Sequence, residues 1–224
     1  MVDEYLDERE QAEQLKQWFK ENWLWLVAGV GLGLGGLYGW QGWNAHLDGK
    51  SREAGQRFGE MLQAFDAADP NRGNELADEI TGKYGSTPYA DQARLVLARV
   101  HVDAGELDQA AGILRQVMDQ SADTELALVA RLRLVRVQLA QGNHAAALAT
   151  LDGATSPAVA SAVAELRGDV LLAKGEKSAA LAAYRQAQAD AGTSAGLVEG
   201  GLLQLKIDDL EAGAARTDSA QETP

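Results

Sequence analysis

The stretch ARLRLVRVQLAQGNHAAALATL, residues 130–151, has the pattern of two helices joined by a tight turn at Gly142. Two other stretches of the chain superimpose on it when they are aligned on their turn glycines, Gly105 and Gly175. In each copy a valine stands five residues before the glycine, an alanine five residues after it, and a large side chain nine residues after it. Recurrence of the same residue types at the same positions predicts a repeated helical hairpin.

The spacing of the turn glycines suggests the type of repeat. They are 37 and 33 residues apart, close to the 34-residue period of tetratricopeptide repeats. We therefore predict an all-α protein whose repeat domain spans 48–210, although an ordinary antiparallel helical bundle is the alternative. The predicted units lie near 51–84, 87–121, 124–154 and 156–190, with a closing helix over 194–210. Residues 211–224 have no apolar stripe and are predicted to be disordered.

A second region, residues 22–47, carries no formal charge. As a helix it would be about 39 Å long, enough to cross a hydrocarbon core of about 30 Å. All five tryptophans fall within residues 18–43, at the two ends of this run, as in the aromatic belts of membrane helices. We predict a single N-terminal transmembrane helix over 22–44, preceded by an acidic tail, residues 1–21.

The features that flank this run decide between an anchor and a signal peptide. Seven acidic and three basic residues precede it, where a cleavable signal peptide has a short basic segment, and no small-residue cleavage site follows. An uncleaved signal anchor is therefore the better interpretation. Three bases stand before the span and three (Lys50, Arg52 and Arg57) after it, so counting charges leaves the orientation open.

The span contains a glycine motif that has two interpretations. The letters of residues 31–36, GLGLGG, match G-x-G-x-x-G, which would make the chain a nucleotide-dependent oxidoreductase if strands flanked it. Gly31, Gly35 and Gly39 also recur every four residues, which gives a helix face that another membrane helix can approach closely. The alternative is a single span that merely tolerates glycine. Since no parallel strands are predicted downstream, we favour a membrane helix over a nucleotide loop.

No catalytic constellation is found in the sequence. Cysteine is absent, and the three histidines, His46, His101 and His144, are scattered. With 33 acidic and 20 basic residues the net charge is −13, which disfavours a nucleic-acid partner. We predict no enzyme activity, no cofactor and no metal site.

A binding surface remains as the candidate functional feature. In stacked hairpins the first helix of each unit lines the inner face. Arginines there can grip a peptide's backbone or carboxylates while aliphatic side chains take up apolar ones. The alternative is that the leucines are buried between units and the arginines are solvated. The candidate groove residues are Leu95, Arg99, Val102, Leu132, Arg136, Leu139, Asp169 and Leu172.

Four segments in this order resemble the YfgM family, the ancillary subunit of the SecYEG translocon. They are LKQWFKENW (15–23), GWQGWN (39–44), RGDVLLAKGEKSAALAAY (167–184) and LKIDDL (205–210). The resemblance implies a cytoplasmic tail, one inner-membrane helix and a periplasmic repeat domain, without catalytic residues. It also implies partners: the SecYEG translocon, the periplasmic chaperone PpiD and unfolded secreted proteins. The alternative function is an adaptor of another envelope complex, such as outer-membrane assembly or cytochrome maturation.

Overall fold

The computed structural model describes residues 2–191 and 200–221, and the chain divides into two units, residues 1–53 and 54–224. The described residues form helices and no strand, which confirms the all-α prediction. The helices are α1 (Val2–Asp66), α2 (Pro70–Lys83), α3 (Pro88–Asp103), α4 (Leu107–Gln120), α5 (Thr124–Ala140), α6 (His144–Asp152), α7 (Ala160–Ala173), α8 (Lys177–Asp190) and α9 (Gly200–Gln221), with a 3-10 turn at Pro157–Val159 before α7.

The first unit contains the apolar part of α1. Leu15–Gln41, 27 residues, is long and apolar enough to cross a membrane, and none of its most apolar window is buried. This stretch overlaps the predicted span, residues 22–44. The G-x-G-x-x-G letters lie inside the helix, and no strand flanks them in the described part of the chain. The backbone that a nucleotide-binding turn requires is therefore not present at these glycines.

Prolines and acidic caps set where several helices of the second unit begin. Pro70 and Pro88 are the first residues of α2 and α3, where a missing backbone N–H costs nothing. Asp69 caps α2 by accepting the backbone N–H of Arg72 at 3.1 Å. Pro157 differs from the expected pattern because it opens the 3-10 turn, and α7 begins three residues later at Ala160.

The three turn glycines have the same geometry. Gly105, Gly142 and Gly175 have φ of +77°, +73° and +84°, a region that favours glycine because it has no Cβ. In each turn the residue that follows the glycine donates its backbone N–H to the carbonyl of the residue four positions before the glycine. This bond satisfies a carbonyl that is otherwise free at the end of the helix. These bonds are Glu106 to His101 at 2.8 Å, Asn143 to Gln138 at 2.8 Å and Glu176 to Leu171 at 2.9 Å.

The core of the second unit is a chain of four apolar clusters. The first joins the end of α1 to α2 and α3, the second α3 to α5, the third α5 to α7, and the fourth α7 to α9. Each cluster shares a helix with the next, so every hairpin buries its apolar face against its neighbours. This is the stacking that defines repeat proteins.

The aligned positions of the repeat are the centre of these clusters. The alanines five residues after each turn glycine, Ala110, Ala147 and Ala180, have no exposed surface. Tyr184, one of the large residues nine positions after a turn glycine, packs against Gly168, where an added Cβ would overlap the ring carbon Cε1. A small residue therefore lets the two helices of this hairpin approach closely.

Helix α9 closes the second unit. Leu203, Ile207 and Leu210 are buried against α7 and α8. Helix α9 extends to Gln221, and disorder of residues 211–224 stays a prediction. Residues 194–199 of the predicted closing helix and residues 222–224 of the tail lie outside the described residues.

Candidate functional site

The large apolar side chains that remain exposed in the second unit lie on odd-numbered helices. Among its described residues they are Leu62 on α1, Val102 on α3, Val129 on α5, Leu172 on α7, and Leu202 and Leu205 on α9. In that part of the chain α2, α4, α6 and α8 contribute none. We call these six residues the odd-helix set. In stacked hairpins the first helix of each unit lines one face of the stack, so exposed apolar residues on these helices are candidates for contact with a protein partner.

Part of this set lines a cleft between α3 and α5, which we call the arginine cleft. Its volume is about 280 Å³. Arg99 extends from α3, and Arg133 and Arg136 extend from α5. The remaining lining is apolar and consists of Ala98 and Val102 of α3, Leu114 of α4 and Val137 of α5.

The three arginines form a positive cluster, and few carboxylates of the described chain lie close enough to neutralise it. The Arg99 guanidinium lies 3.6 Å from the Asp103 carboxylate, and both side chains are largely exposed. Arg136 donates to the backbone carbonyl of Leu132 at 3.5 Å. Arg133 forms no ion pair within the part of the chain that the structure describes. Partial burial, then repulsion by Arg136 and Arg99, lowers the pKa of Arg133 below the ordinary arginine value.

The cleft brings together three of the residues that the sequence selected, Arg99, Val102 and Arg136. Leu95 and Leu132 do not belong with them, because they are only 6% and 7% exposed and lie in the apolar clusters of α3–α5 and α5–α7. Their inclusion in the groove is corrected: these leucines hold the hairpins together and are not available to a ligand. The alternative of buried leucines is right for this pair.

The other three selected residues lie elsewhere. Leu139 is half-buried and packs against the cluster of α5–α7. Leu172, near the end of α7, is exposed but does not line the arginine cleft. Asp169 accepts hydrogen bonds from the Tyr184 hydroxyl and the Lys206 amine, both at 2.7 Å. Asp169 is therefore engaged in holding helices together and does not point to a ligand.

Lys206 joins α9 to α7. Its amine lies 2.7 Å from Glu165 Oε1 and 2.7 Å from Asp169 Oδ1, and 5.4 Å from the centre of the Tyr184 ring. Burial acts to lower the pKa of Lys206, but the hydrogen bonds and charges of Asp169 and Glu165 outweigh it and raise that pKa. Burial, followed by the hydrogen bond to Asp169, raises the pKa of the Tyr184 hydroxyl.

Sequence reasoning missed Arg133. The repeat alignment compares residues at equal distances from the turn glycines, and the positions equivalent to Arg133 are Val96 and Leu166, neither of which is charged. A different signal was available, because Val129, Arg133 and Arg136 follow one another at i, i+4 and i+7 and therefore share one face of α5.

In the first unit the glycine face is accessible. Nothing lies within 4 Å of a Cβ built on Gly31, Gly35 or Gly39. The bulky side chains around these glycines, among them Leu32, Leu34 and Trp40, are exposed as well. Packing of this face against another membrane helix stays a prediction.

The described residues contain no group of three or more His, Asp or Glu side chains arranged to hold a metal ion. His101 is engaged locally, with Nδ1 2.6 Å from Glu106 Oε2. His46 and His144 are 98 residues apart in sequence, on α1 and at the start of α6.

Comparison with known proteins extends this description. A family model described as a tetratricopeptide repeat-like domain matches residues 16–212. The chain is 36% identical over 209 residues to the ancillary SecYEG translocon subunit of Escherichia coli (strain K12), covering 92% of this chain and 98% of the relative. It is 31% identical over 205 residues to the protein of the same name from Aggregatibacter actinomycetemcomitans, with the same two coverages. A third relative of that name, from Haemophilus influenzae, is 28% identical over 205 residues.

Proposed function

Because this chain belongs to the family of the ancillary SecYEG translocon subunits, we propose that it is a membrane-tethered scaffold that works beside the translocon. Its tetratricopeptide repeat-like domain holds a PpiD-like periplasmic chaperone, or newly translocated unfolded chains, next to the exit of the channel. The observation that carries the proposal is the confinement of exposed apolar side chains to the odd-numbered helices. Such a surface fits protein binding and offers no group suited to catalysis.

The apolar stretch of α1 supplies the tether. Seven aliphatic side chains between Leu24 and Leu37 each contribute roughly −0.3 to −0.6 kcal/mol to insertion, and no charge opposes them. Anchoring two partners to the same membrane raises their effective concentration to about the millimolar range for short linkers. A surface of low intrinsic affinity is then sufficient for occupancy at the translocon.

In this proposal the acidic tail, residues 1–21, is cytoplasmic and the repeat domain, residues 48–210, is periplasmic. The resemblance to the YfgM family implies that orientation, whereas the basic residues on the two sides of the span are balanced and favour neither. Gly31, Gly35 and Gly39 form a shallow groove into which a membrane helix of the translocon or of a chaperone can pack closely.

Site-specific photo-crosslinking in native membranes tests the scaffold role. A photoreactive amino acid is placed at Val129 or Leu172 of the odd-helix set, and at the exposed positions Asp119 on α4 and Ala182 on α8 as matched controls. We expect translocon subunits and a periplasmic chaperone to be recovered from the first pair and not from the second. Equal recovery from both pairs would contradict the surface, and recovery of a different envelope complex would favour the alternative adaptor function.

The orientation has its own test, because the chain contains no cysteine. Single cysteines at Glu13 and at Asp209, both exposed, are labelled with a membrane-impermeant maleimide in spheroplasts. We expect labelling at Asp209→Cys before lysis and at Glu13→Cys only after it. The reverse order of labelling would reject a periplasmic repeat domain.

A further inference from the structure

The arginine cleft gathers three arginines in an acidic protein. The net charge is −13, and five other arginines of the described chain lie close to carboxylates, although Arg115 and Arg131 form no ion pair there. Such pairs are Arg57 with Glu60 at 2.9 Å, Arg72 with Glu75 at 3.2 Å, Arg94 with Asp91 at 2.9 Å, Arg167 with Asp152 at 2.8 Å and Arg185 with Glu211 at 2.7 Å. The three arginines of the cleft, by contrast, form only one ion pair with the described residues, the long one between Arg99 and Asp103 at 3.6 Å.

Positive charges that line the same cleft repel one another, and water weakens this repulsion because Arg99, Arg133 and Arg136 are all exposed. The pKa of Arg133 is lowered by partial burial and then by the positive charges of Arg136 and Arg99, which is consistent with this repulsion. An anion entering between Arg99 and Arg133 would remove this unfavourable term. The guanidinium group is planar and presents paired N–H donors, a geometry that matches a carboxylate with two parallel hydrogen bonds.

The apolar lining of the cleft indicates which class of anion could bind there. Val102 is the exposed apolar residue of the lining, while Ala98, Leu114 and Val137 are core residues that form the floor of the cleft, so a ligand would place apolar atoms against Val102. A volume of about 280 Å³ lies just below the range for small-molecule sites, roughly 300–1,000 Å³, and suits one or two side chains of a peptide. Polyanions such as nucleic acids are disfavoured by the long-range repulsion of the acidic chain.

We infer that the arginine cleft binds an extended peptide segment in which carboxylate side chains stand beside an aliphatic one. The carboxylates pair with the arginines of α3 and α5, and the aliphatic side chain lies on the apolar lining between them. This inference deepens the proposed function and rests on it, because it names the class of segment that the scaffold recognises in its protein partners.

Binding of short peptides to the full-length chain in detergent micelles tests the recognition. The probe is a fluorescent peptide containing Glu-Leu-Glu, with both termini blocked so that it has no terminal carboxylate. Matched peptides carry Gln-Leu-Gln or Glu-Ser-Glu. We expect the glutamine peptide to bind at least tenfold more weakly, since charge-assisted hydrogen bonds are lost, and the serine peptide several-fold more weakly.

Variants of the protein assign the site. Arg133→Gln should weaken binding of the Glu-Leu-Glu peptide roughly tenfold. Arg115→Gln is the control, because Arg115 is an exposed arginine on α4 that lies outside the cleft, and its removal changes the net charge equally. Circular dichroism of both variants should match that of the parent chain, since neither side chain has an ion pair among the described residues.

Several outcomes overturn the inference: equal binding of the glutamine peptide, equal weakening by the two arginine variants, or no binding of any peptide. These results are distinguishable from failure of the scaffold proposal. If peptide binding fails while crosslinks from Val129 persist, the scaffold stands and the cleft is not its recognition site. If the peptides bind as expected while crosslinks from odd-numbered and even-numbered helices are equal, the cleft stands and the translocon role fails.

Discussion

Glycine is used differently in the span of α1 and in the repeat region. At Gly31, Gly35 and Gly39 of the span, an added Cβ would meet nothing within 4 Å. At Gly168 in α7 an added Cβ would overlap the buried Tyr184 ring. At Gly142 an added Cβ would meet no neighbouring atom, but the substituted residue would have to adopt φ +73°. The same residue therefore marks a surface open to a partner, a close contact between helices, or a turn, and only its surroundings tell which.

The largest effect is expected from adding charge to the span. Val30→Arg combined with Leu34→Arg places two cations near the middle of the apolar helix, at a cost of about 2.5–3.5 kcal/mol each. This exceeds the few kcal/mol that the aliphatic side chains contribute to insertion. Vesicle flotation of the full-length chain should show that the variant no longer moves with the membrane.

The control for that experiment keeps the substitution sites but not the charge. Val30→Leu with Leu34→Ile should float as the parent chain does. A double-arginine variant that still floats with vesicles would mean that this stretch is not what holds the protein at the membrane.

Gly168 and Gly112 form the next comparison. Gly168→Ala should destabilise the repeat region by about 3 kcal/mol, because the Tyr184 ring is buried and its hydroxyl is fixed to Asp169. Gly112→Ala, at an exposed position of α4 with nothing within 4 Å, should stabilise it by about 0.5–1 kcal/mol. Urea unfolding followed by circular dichroism measures both changes in the free energy of unfolding.

Tryptophan fluorescence would not report this unfolding, because all five tryptophans lie within residues 18–43. Opposite signs for the two glycine substitutions are the essential result. If both alanine variants shift the urea midpoint in the same direction, close packing at Gly168 does not govern this hairpin.

Much of the hairpin architecture could be predicted because its determinants are local. A turn glycine, an alanine and a large residue at fixed spacing define each hairpin, and the alanine and the large residue lie in the same apolar cluster, as Ala180 and Tyr184 do. Whether an apolar residue of a first helix is buried or exposed depends on the neighbouring hairpin. For that reason Leu95 and Leu132 were assigned to a groove although they are core residues.

The site was harder to predict than the fold. Arg133 meets Arg99 only because α3 and α5 are neighbours, and the two residues are 34 apart in sequence. The contacts of Lys206 with Glu165 and Asp169 likewise join helices separated along the chain. Charges brought together by tertiary packing leave no periodic signal, so their partners could not be assigned from one sequence.

The Lys206 network gives a prediction of intermediate size. Lys206→Met leaves Glu165 and Asp169 half-buried without their common cation, which should lower the free energy of unfolding by about 2 kcal/mol at neutral pH. Urea unfolding of the variant and of the parent chain measures the difference. A stability equal to that of the parent chain would show that this ion pair contributes nothing to the docking of α9.

The same variant carries a pH signature. In the folded chain the pKa of Lys206 is raised above its ordinary value of 10.5. Its contribution to the free energy of unfolding is therefore complete below pH 10.5 and is lost as pH rises from there through the raised pKa of the folded chain. The parent chain should therefore lose stability above about pH 10.5, and the Lys206→Met variant should lose less. Tyr184, whose pKa is also raised, should leave a residual alkaline loss in both proteins.

The smallest effect is expected at the turn glycines, where backbone conformation is the sole constraint. Gly142→Ala should cost about 1 kcal/mol, because alanine at φ +73° brings its Cβ close to the backbone while no neighbouring side chain lies within 4 Å. Gly142→Asn should cost less, since asparagine tolerates this conformation. Urea unfolding of the two variants separates this cause from packing: a steric clash would make the larger asparagine worse than alanine, and a conformational cost makes it better. The same pair of substitutions at Gly168 should give the opposite order, because there the space beside Tyr184 decides.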